Sequence, residues 1–162
     1  MRVASRHAPD HLAERICAAA ASANARRVAM EVVWAATSPD DGRFSPHEVV
    51  STVEQLERRF IELRARGEGY LEVRLPDRDF PVLTMGFRGD HAVIHAADSP
   101  ESIALHRGDA AVPPDHSVEV LIFDELTPFS GDFALTLEHA WRVLEAFIRS
   151  GSPGEPGDWS GF

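Results

Sequence analysis

The sequence predicts an α+β domain, with an antiparallel sheet of about five to six strands flanked by two long helices. Several short segments place apolar side chains at every second position and are separated by turn residues, which is typical of a strand meander. Two other segments carry apolar side chains at helical spacing, each followed by glycine. A chain of 162 residues is long enough for one such domain and its core.

The first predicted elements are a short helix and a strand. Residues 10–24 carry a thin apolar stripe backed mostly by alanine, so we expect an extra short N-terminal helix there. We assign residues 1–27 to an N-terminal helical extension and residues 28–162 to a single α+β domain. Residues 28–35 alternate with period two and are predicted to form a strand, followed by a turn over residues 37–42.

The first long helix is predicted to begin at Ser45. Ser45, Pro46 and Glu48 match a capping box, with a serine cap, a proline at the first helical position and a glutamate at the third. Gly67 is expected to end this helix. Its buried side is predicted to consist of five side chains: Val49, Val53, Leu56, Phe60 and Leu63.

Three strands of a meander are predicted next, over residues 70–75, 80–87 and 91–97. Short turns that contain aspartate with proline or glycine separate them. At most one short edge strand is expected between residues 97 and 116, because prolines and glycines bracket that stretch closely.

The last third of the chain is predicted to hold one strand, one loop and the second helix. Residues 118–123 form a mostly apolar run and are expected to be a central strand. Residues 124–135 contain a proline and a glycine and are expected to be a loop. Helical spacing predicts a helix over residues 136–150, and residues 158–162 are expected to form a last edge strand.

Composition excludes several classes of chemistry. All 16 basic residues are arginine, so a Schiff base or a P-loop lysine is excluded. The single Cys17 excludes an intrachain disulfide and is expected to be a small buried side chain. No apolar run reaches the roughly 18 residues that a membrane span needs, and no secretory signal is evident, so we expect a cytoplasmic protein without membrane contact.

The negative charge is concentrated at one end of the sequence. The last 74 residues contain three arginines and thirteen acidic residues, and they therefore carry the entire net charge of −10. Such a surface repels phosphate backbones and attracts basic proteins, so direct binding of nucleic acid is not expected. The alternative is that the acidity only maintains solubility.

Eight histidines raise the question of a metal site. His91 and His95 share a predicted strand face but lie about 13 Å apart at 3.3 Å per residue, too far to bind one ion together. His7 and His11 have a helical ligand spacing, but Pro9 lies between them. The sequence also lacks the pentapeptide of serine hydrolases. We therefore predict no catalytic residue, no metal and no cofactor.

Acidic residues in the second half of the chain are the candidates for binding a partner. The predicted loop that contains Phe129 and Phe133 is rich in carboxylates, and carboxylates beside exposed aromatic rings suit docking against a basic surface. The alternative is a solvated loop whose phenylalanines turn inward. We predict a first binding patch at Asp124, Glu125 and Asp132, and a second at Asp98 and Glu101.

The end of the chain has a distinctive order of residues. The segment LTLEHAWRVLEAFIRSG over residues 135–151 is followed by Pro153 or Pro156 and then by Asp158-Trp159-Ser160. With the preceding order of strand, helix, meander, apolar strand and acidic loop, it resembles the Imm1 family of bacterial immunity proteins. A looser match covers residues 47–87, so the resemblance extends over about residues 28–162.

The sequence departs from the Imm1 pattern in two places. Residues 1–27 precede the family's usual start. Leu121-Ile122-Phe123 stands where more tyrosine is expected.

The resemblance implies a cytoplasmic, non-enzymatic protein that binds and neutralises a cognate toxin made by the same cell. Toxins of this kind are often nucleases or nucleic-acid deaminases, which are commonly basic around the active site, so an acidic surface can occlude that site. On this interpretation the five carboxylates contact the toxin, and Trp141 and Trp159 are packing anchors.

Two other functions stay open from the residues alone. One is a small His/Asp-dependent metalloenzyme, with His91, His95 and nearby acids lining a pocket. The other is a general protein-interaction adaptor unrelated to toxins. Metal analysis with a turnover screen discriminates the first, and the neighbouring gene discriminates the second.

Overall fold

The structure, a computed structural model, describes residues 30–161. The predicted helix over residues 10–24, the extension over residues 1–27, Cys17, His7 and His11 therefore lie outside the described residues. The helices and strands in chain order are β1 (Glu31–Thr37), β2 (Phe44–Thr52), α1 (Val53–Arg66), β3 (Glu68–Arg74), β4 (Val82–Arg88), β5 (His91–Ser99), β6 (Ser102–His106), β7 (Ser117–Ile122), β8 (Glu125–Ser130), β9 (Leu135–Thr136), α2 (Leu137–Ser150) and β10 (Trp159–Ser160).

The predicted α+β class is confirmed, but the sheet is larger than expected. Its strands follow the order β10-β6-β5-β4-β3-β1-β2, and β9 pairs with β5, which makes eight strands where five to six were predicted. The pairings are antiparallel throughout. β2 was predicted as helix, and β9 has two residues, too few for the periodicity of a strand to be recognised.

Both helices pack on one face of the sheet. Phe60 of α1 stacks on Trp141 of α2 with ring centroids 4.7 Å apart, and it makes an edge-to-face contact with Phe87 on β4. The predicted helical face of α2 is confirmed, since six of its apolar side chains are buried: Leu137, Ala140, Trp141, Leu144, Phe147 and Ile148. Trp159 is also buried.

The predicted start of the first helix is wrong. Residues 44–52 form the edge strand β2, and α1 begins only at Val53, so this helix has 14 residues and is shorter than predicted. The capping box belongs to Thr52 and Gln55, whose side chains accept hydrogen bonds from each other's backbone N–H groups. Pro46 is tolerated because an edge strand leaves one side of its backbone unpaired. Gly67 ends α1 as predicted, with φ of +97°.

Residues 117–130 also differ from the prediction. β7 is not a central strand of the large sheet but pairs with β8 in a separate two-stranded hairpin, and the predicted loop over residues 124–135 contains β8. The hairpin lies on the sheet face opposite the helices. Gly86 of β4 permits this approach, because a Cβ at that position would lie 2.2 Å from the carbonyl oxygen of Leu121.

The remaining strand predictions are close to the structure. One short strand, β6, lies between residues 97 and 116 as expected, but it is not an edge strand because it pairs with both β5 and β10. β10 provides the expected final edge strand. Among residues 30–161, neither helix has the length and apolar character required to cross a membrane.

Candidate functional site

The second face of the large sheet is covered only in part by the β7–β8 hairpin. Glu72 of β3, Thr84 of β4 and His95 of β5 are direct neighbours across these strands and point to this face. The next cross-strand pair of β4 and β5 on this face is Val82 and Ala97. We call this partly covered side of the sheet the open face.

A groove of about 440 Å³ lies on the open face next to the hairpin. Its wall on one side comes from the end of β7 and the hairpin turn, and its floor comes from four strands of the sheet. The lining residues are Tyr70, Glu72, Val82, Thr84, His95, Ala97, Ile103, Ile122 and Phe123. The groove is therefore mostly apolar, with a few polar side chains in its floor, which is the usual composition of a binding site.

The polar floor is organised around Glu72. The Tyr70 hydroxyl donates a hydrogen bond of 3.0 Å to Oε1 of Glu72, two positions along the same strand face. Burial raises the pKa of Glu72, and the Tyr70 bond only partly offsets that effect. Burial and the neighbouring Glu72 carboxylate raise the pKa of Tyr70 well above its ordinary value, so Tyr70 stays protonated and acts as the donor.

His95 lies on the other side of Thr84. Its ring meets Phe129 of β8 edge to face, with centroids 5.6 Å apart. Burial lowers the pKa of His95, because the protonated ring loses its hydration in this position. The imidazole is therefore neutral at pH 7 and keeps one nitrogen as a hydrogen-bond acceptor.

The hairpin turn forms the edge of the groove and is tied to the sheet through Asp124. Oδ1 of Asp124 accepts a hydrogen bond of 2.7 Å from the backbone N–H of Phe44, at the start of β2. Phe123 precedes it with φ of +54°, an uncommon conformation for a bulky residue. The Phe123 ring packs against Phe44 and Tyr70, with centroid distances of 5.3 and 4.7 Å.

The apolar surface continues from the groove toward β2. A smaller cavity, lined in part by Val33 and Ala35, shares Glu72 and Val82 with the groove. At the two ends of this surface, Val50 and Ile103 are 61% and 57% exposed. The open face thus leaves large apolar side chains in water in the described structure, whereas single exposed apolar residues elsewhere need no explanation.

Arg74 lies beside this surface and is already paired. Arg74, on β3 next to Glu72, binds both carboxylate oxygens of Glu48 from β2, at 3.2 and 2.7 Å. This bidentate bond lowers the pKa of Glu48. The pair is neutral overall, so Glu72 remains the uncompensated charge of the groove floor.

The structure divides the first predicted acidic patch. Asp124 and Glu125 lie at the tip of the hairpin, beside the groove. Asp132 follows the other end of β8, which at about 3.4 Å per residue is about 17 Å away. Its carboxylate interacts locally with the Ser130 hydroxyl at 3.4 Å. These three residues therefore do not form one cluster.

The second predicted patch lies at a third location. Glu101 is exposed in the turn between β5 and β6. Asp98, at a bulge near the end of β5, lines a separate cavity with Ser102, Pro153 and Trp159. Of the five predicted carboxylates, Asp124 and Glu125 are those next to the groove.

The two histidines of the enzyme hypothesis are also separated. His95 lines the groove with Glu72, but His91 does not; it pairs with Arg88 and Thr136 near the other end of β5. Within residues 30–161, no three His, Cys, Asp or Glu side chains are arranged to hold a metal ion.

The residues at the centre of the groove were not singled out from the sequence. Tyr70, Glu72 and Thr84 occupy alternate positions on strands that were correctly predicted, and polar residues at such positions normally face solvent. One sequence signal could have pointed to this site, because the predicted β3–β4 hairpin places Glu72 and Thr84 opposite each other. What the sequence did not reveal is that β7 folds back over that same face.

The sequence was compared with protein-family models and with curated proteins, and it matches none of them.

Proposed function

We propose that this chain is an immunity protein, which binds a cognate toxin through the open face of its sheet and occludes the toxin's active site. The incomplete cover of that face carries the proposal. One sheet face is closed by two helices, whereas the other presents a groove and exposed apolar side chains at Val50, Ile103 and Phe123. A surface of this kind is typical of a protein interface.

Charge around the groove supports a basic partner. Glu72 lies in the floor, and Asp124 and Glu125 are at the adjacent hairpin tip. An interface with an apolar centre and a charged border gains specificity and association rate from that border. A nuclease or nucleic-acid deaminase is basic where it contacts phosphates, so its active-site surface complements this one.

The resemblance of the closing helix and terminal segment to Imm1 proteins supports the same function. It rests on the order Leu135 to Gly151, proline and Asp158-Trp159-Ser160. In the structure this segment builds α2, which packs on the closed side of the sheet, and β10, which pairs with β6 at the sheet edge. The recognisable residues thus stabilise the scaffold, and the binding surface lies on the opposite face.

A matched pair of substitutions tests which face binds. Ile103 on the open face and Ile61 on α1 are similarly exposed, at 57% and 56%. The toxin domain encoded by the adjacent gene would be co-expressed with the wild-type chain, with Ile103→Arg and with Ile61→Arg, and cell survival and complex formation would be measured. We expect Ile103→Arg to lose protection and Ile61→Arg to retain it. Equal killing with and without the wild-type chain would refute the immunity function.

Charge reversal at the hairpin tip tests the electrostatic part. Glu125→Arg should slow association with the toxin and reduce the dependence of the association rate on salt. The change is made at Glu125 because Asp124 also holds the turn to β2. An unchanged rate and salt slope would leave the binding surface intact but remove its electrostatic role.

An enzymatic function is the second candidate, because Glu72, His95 and Tyr70 meet at one groove. Metal analysis of the purified chain and a hydrolase substrate screen of wild type, Glu72→Gln and His95→Asn test it. Turnover that both substitutions abolish would favour an enzyme over an immunity protein.

A further inference from the structure

We propose that the groove on the open face is a socket for one arginine side chain of the partner protein, with the guanidinium bound at Glu72. This inference rests on the proposed function, which supplies a basic protein as the partner, and it specifies the group that the groove recognises.

The charge of the groove selects a cation. Glu72 is the one carboxylate among the lining residues, and the neighbouring Arg74 is already committed to Glu48. An anionic group would be repelled by Glu72. An apolar side chain would cover this carboxylate without supplying a counter-charge, which is a costly arrangement. A positively charged side chain satisfies Glu72 and removes the penalty that its burial imposes.

The acceptors in the floor favour arginine. Glu72, Thr84 and His95 follow one another on three adjacent strands, with about 4.5 to 5.5 Å between the Cα atoms of each pair. A carboxylate, a hydroxyl and a neutral imidazole each offer an acceptor. The guanidinium has five N–H donors in a planar fork and engages several acceptors together, whereas lysine presents its donors from a single nitrogen.

The walls fit the remainder of an arginine side chain. Val82, Ala97 and Ile103 provide apolar surface for the methylene groups. Phe123 stands at the rim, 48% exposed, and its ring is available to a guanidinium. Its position is fixed by the contacts with Phe44 and Tyr70, so the wall is formed before the partner arrives.

An NMR titration tests the socket without the toxin. The ¹⁵N-labelled full chain would be titrated with the peptide acetyl-Gly-Arg-Gly-amide and with the same peptide carrying citrulline, which has nearly the same shape but no charge. We expect saturable shifts of the Thr84, His95 and Ile103 amides with the arginine peptide, and binding at least tenfold weaker with citrulline. Equal binding of the two peptides, or no shift at these amides, would overturn the proposal.

Two variants locate the charge that matters. Glu72→Gln keeps the shape of the side chain but removes its charge. This variant should bind the arginine peptide at least tenfold more weakly than the wild type, and it should also bind the toxin domain at least tenfold more weakly. Glu125→Gln removes a charge at the hairpin tip outside the groove and should change peptide binding by less than twofold. The reverse order of effects would place the arginine at the hairpin tip and contradict the socket.

The socket and the immunity function fail in different ways. If the chain protects cells from the toxin but does not bind the arginine peptide, the immunity function is supported and the socket is refuted. If the chain binds the peptide through Glu72 but gives no protection, the groove binds a cation and the immunity function is refuted.

Discussion

The two faces of the large sheet differ in how completely they are covered. On the closed face, Leu83 and Phe87 of β4 lie beneath the two helices, and like Leu144 of α2 they have none of their surface exposed. On the open face, a single hairpin covers part of the strands, and Val50 and Ile103 remain mostly in water. Burial of apolar surface supplies most folding free energy, so the closed face maintains the fold while the open face is free to serve binding.

The largest expected effect is the difference in lost stability between a substitution on the closed face and one on the open face. Leu83→Ala removes a fully buried side chain under the helices and should lower the free energy of unfolding by about 2 to 5 kcal/mol. Ile103→Ala removes a side chain that is 57% exposed and should change it by about 0.5 kcal/mol or less. Chemical denaturation measures both. Comparable losses would show that the open face is as important to stability as the closed one.

The next largest loss of stability is expected when the contact between the hairpin and the sheet is disturbed. Gly86→Ala places a methyl group against the Leu121 carbonyl, so the hairpin must shift, at a cost of about 1 to 3 kcal/mol. Hydrogen exchange should show loss of protection in β7 and β8 while α1 and α2 keep theirs. Gly157→Ala is the control, since a Cβ there meets nothing within 4 Å. Unchanged exchange in Gly86→Ala would mean that the hairpin does not depend on this close approach.

Asp124 should affect stability through its hydrogen bond. Asp124→Ala leaves the N–H of Phe44 without its acceptor and should cost about 1 to 2 kcal/mol, whereas Asp124→Asn retains an acceptor oxygen and should cost less. Thermal unfolding of both variants measures the difference. If the two variants lose the same stability, the charge of Asp124 matters and the hydrogen bond does not.

The smallest expected effect is the pH dependence at Glu72. Because its pKa in the folded state is raised by burial, the folded protein binds the proton more tightly than the unfolded chain does. Stability should therefore fall as pH rises from the unfolded value near 4.5 through the folded pKa, and Glu72→Gln should remove that fall. Denaturation curves from pH 4 to 8 test this, with Glu125→Gln as the control. The same slope in wild type and Glu72→Gln would show that Glu72 is not destabilised by burial.

Local patterns in the sequence predicted the closed face better than the open one. The spacing of apolar residues identified α2 and the strands of the meander, because each pattern is contained in a short segment. The segment Ser45–Glu48 was misleading, since it matches a capping box but lies on an edge strand. A tertiary requirement, the pairing of β1 with β2, overrode the local signal there.

The candidate site depends on contacts that are distant in sequence. Glu72, Thr84 and His95 become neighbours through strand register, and Phe123 joins them only because β7 crosses back over Gly86. Asp124 and Glu125 were predicted from the sequence because acidic residues beside phenylalanine stand out locally, and their role in binding stays a prediction. Strand β8 separates them from Asp132, and this strand was not predicted because Pro128 lies within it.

The most direct test of the account is a binding footprint of the whole chain. Methyl NMR signals of Val82, Ile103 and Val50 on the open face, of Leu83 on the closed face and of Leu144 in α2 would be followed. The ligand added is the toxin domain that the proposed function expects the adjacent gene to encode. The open face is predicted to lose its signals or shift strongly at one equivalent, while the closed face is nearly unchanged. A footprint confined to α1 and α2, with the open face unaffected, would contradict the central claim.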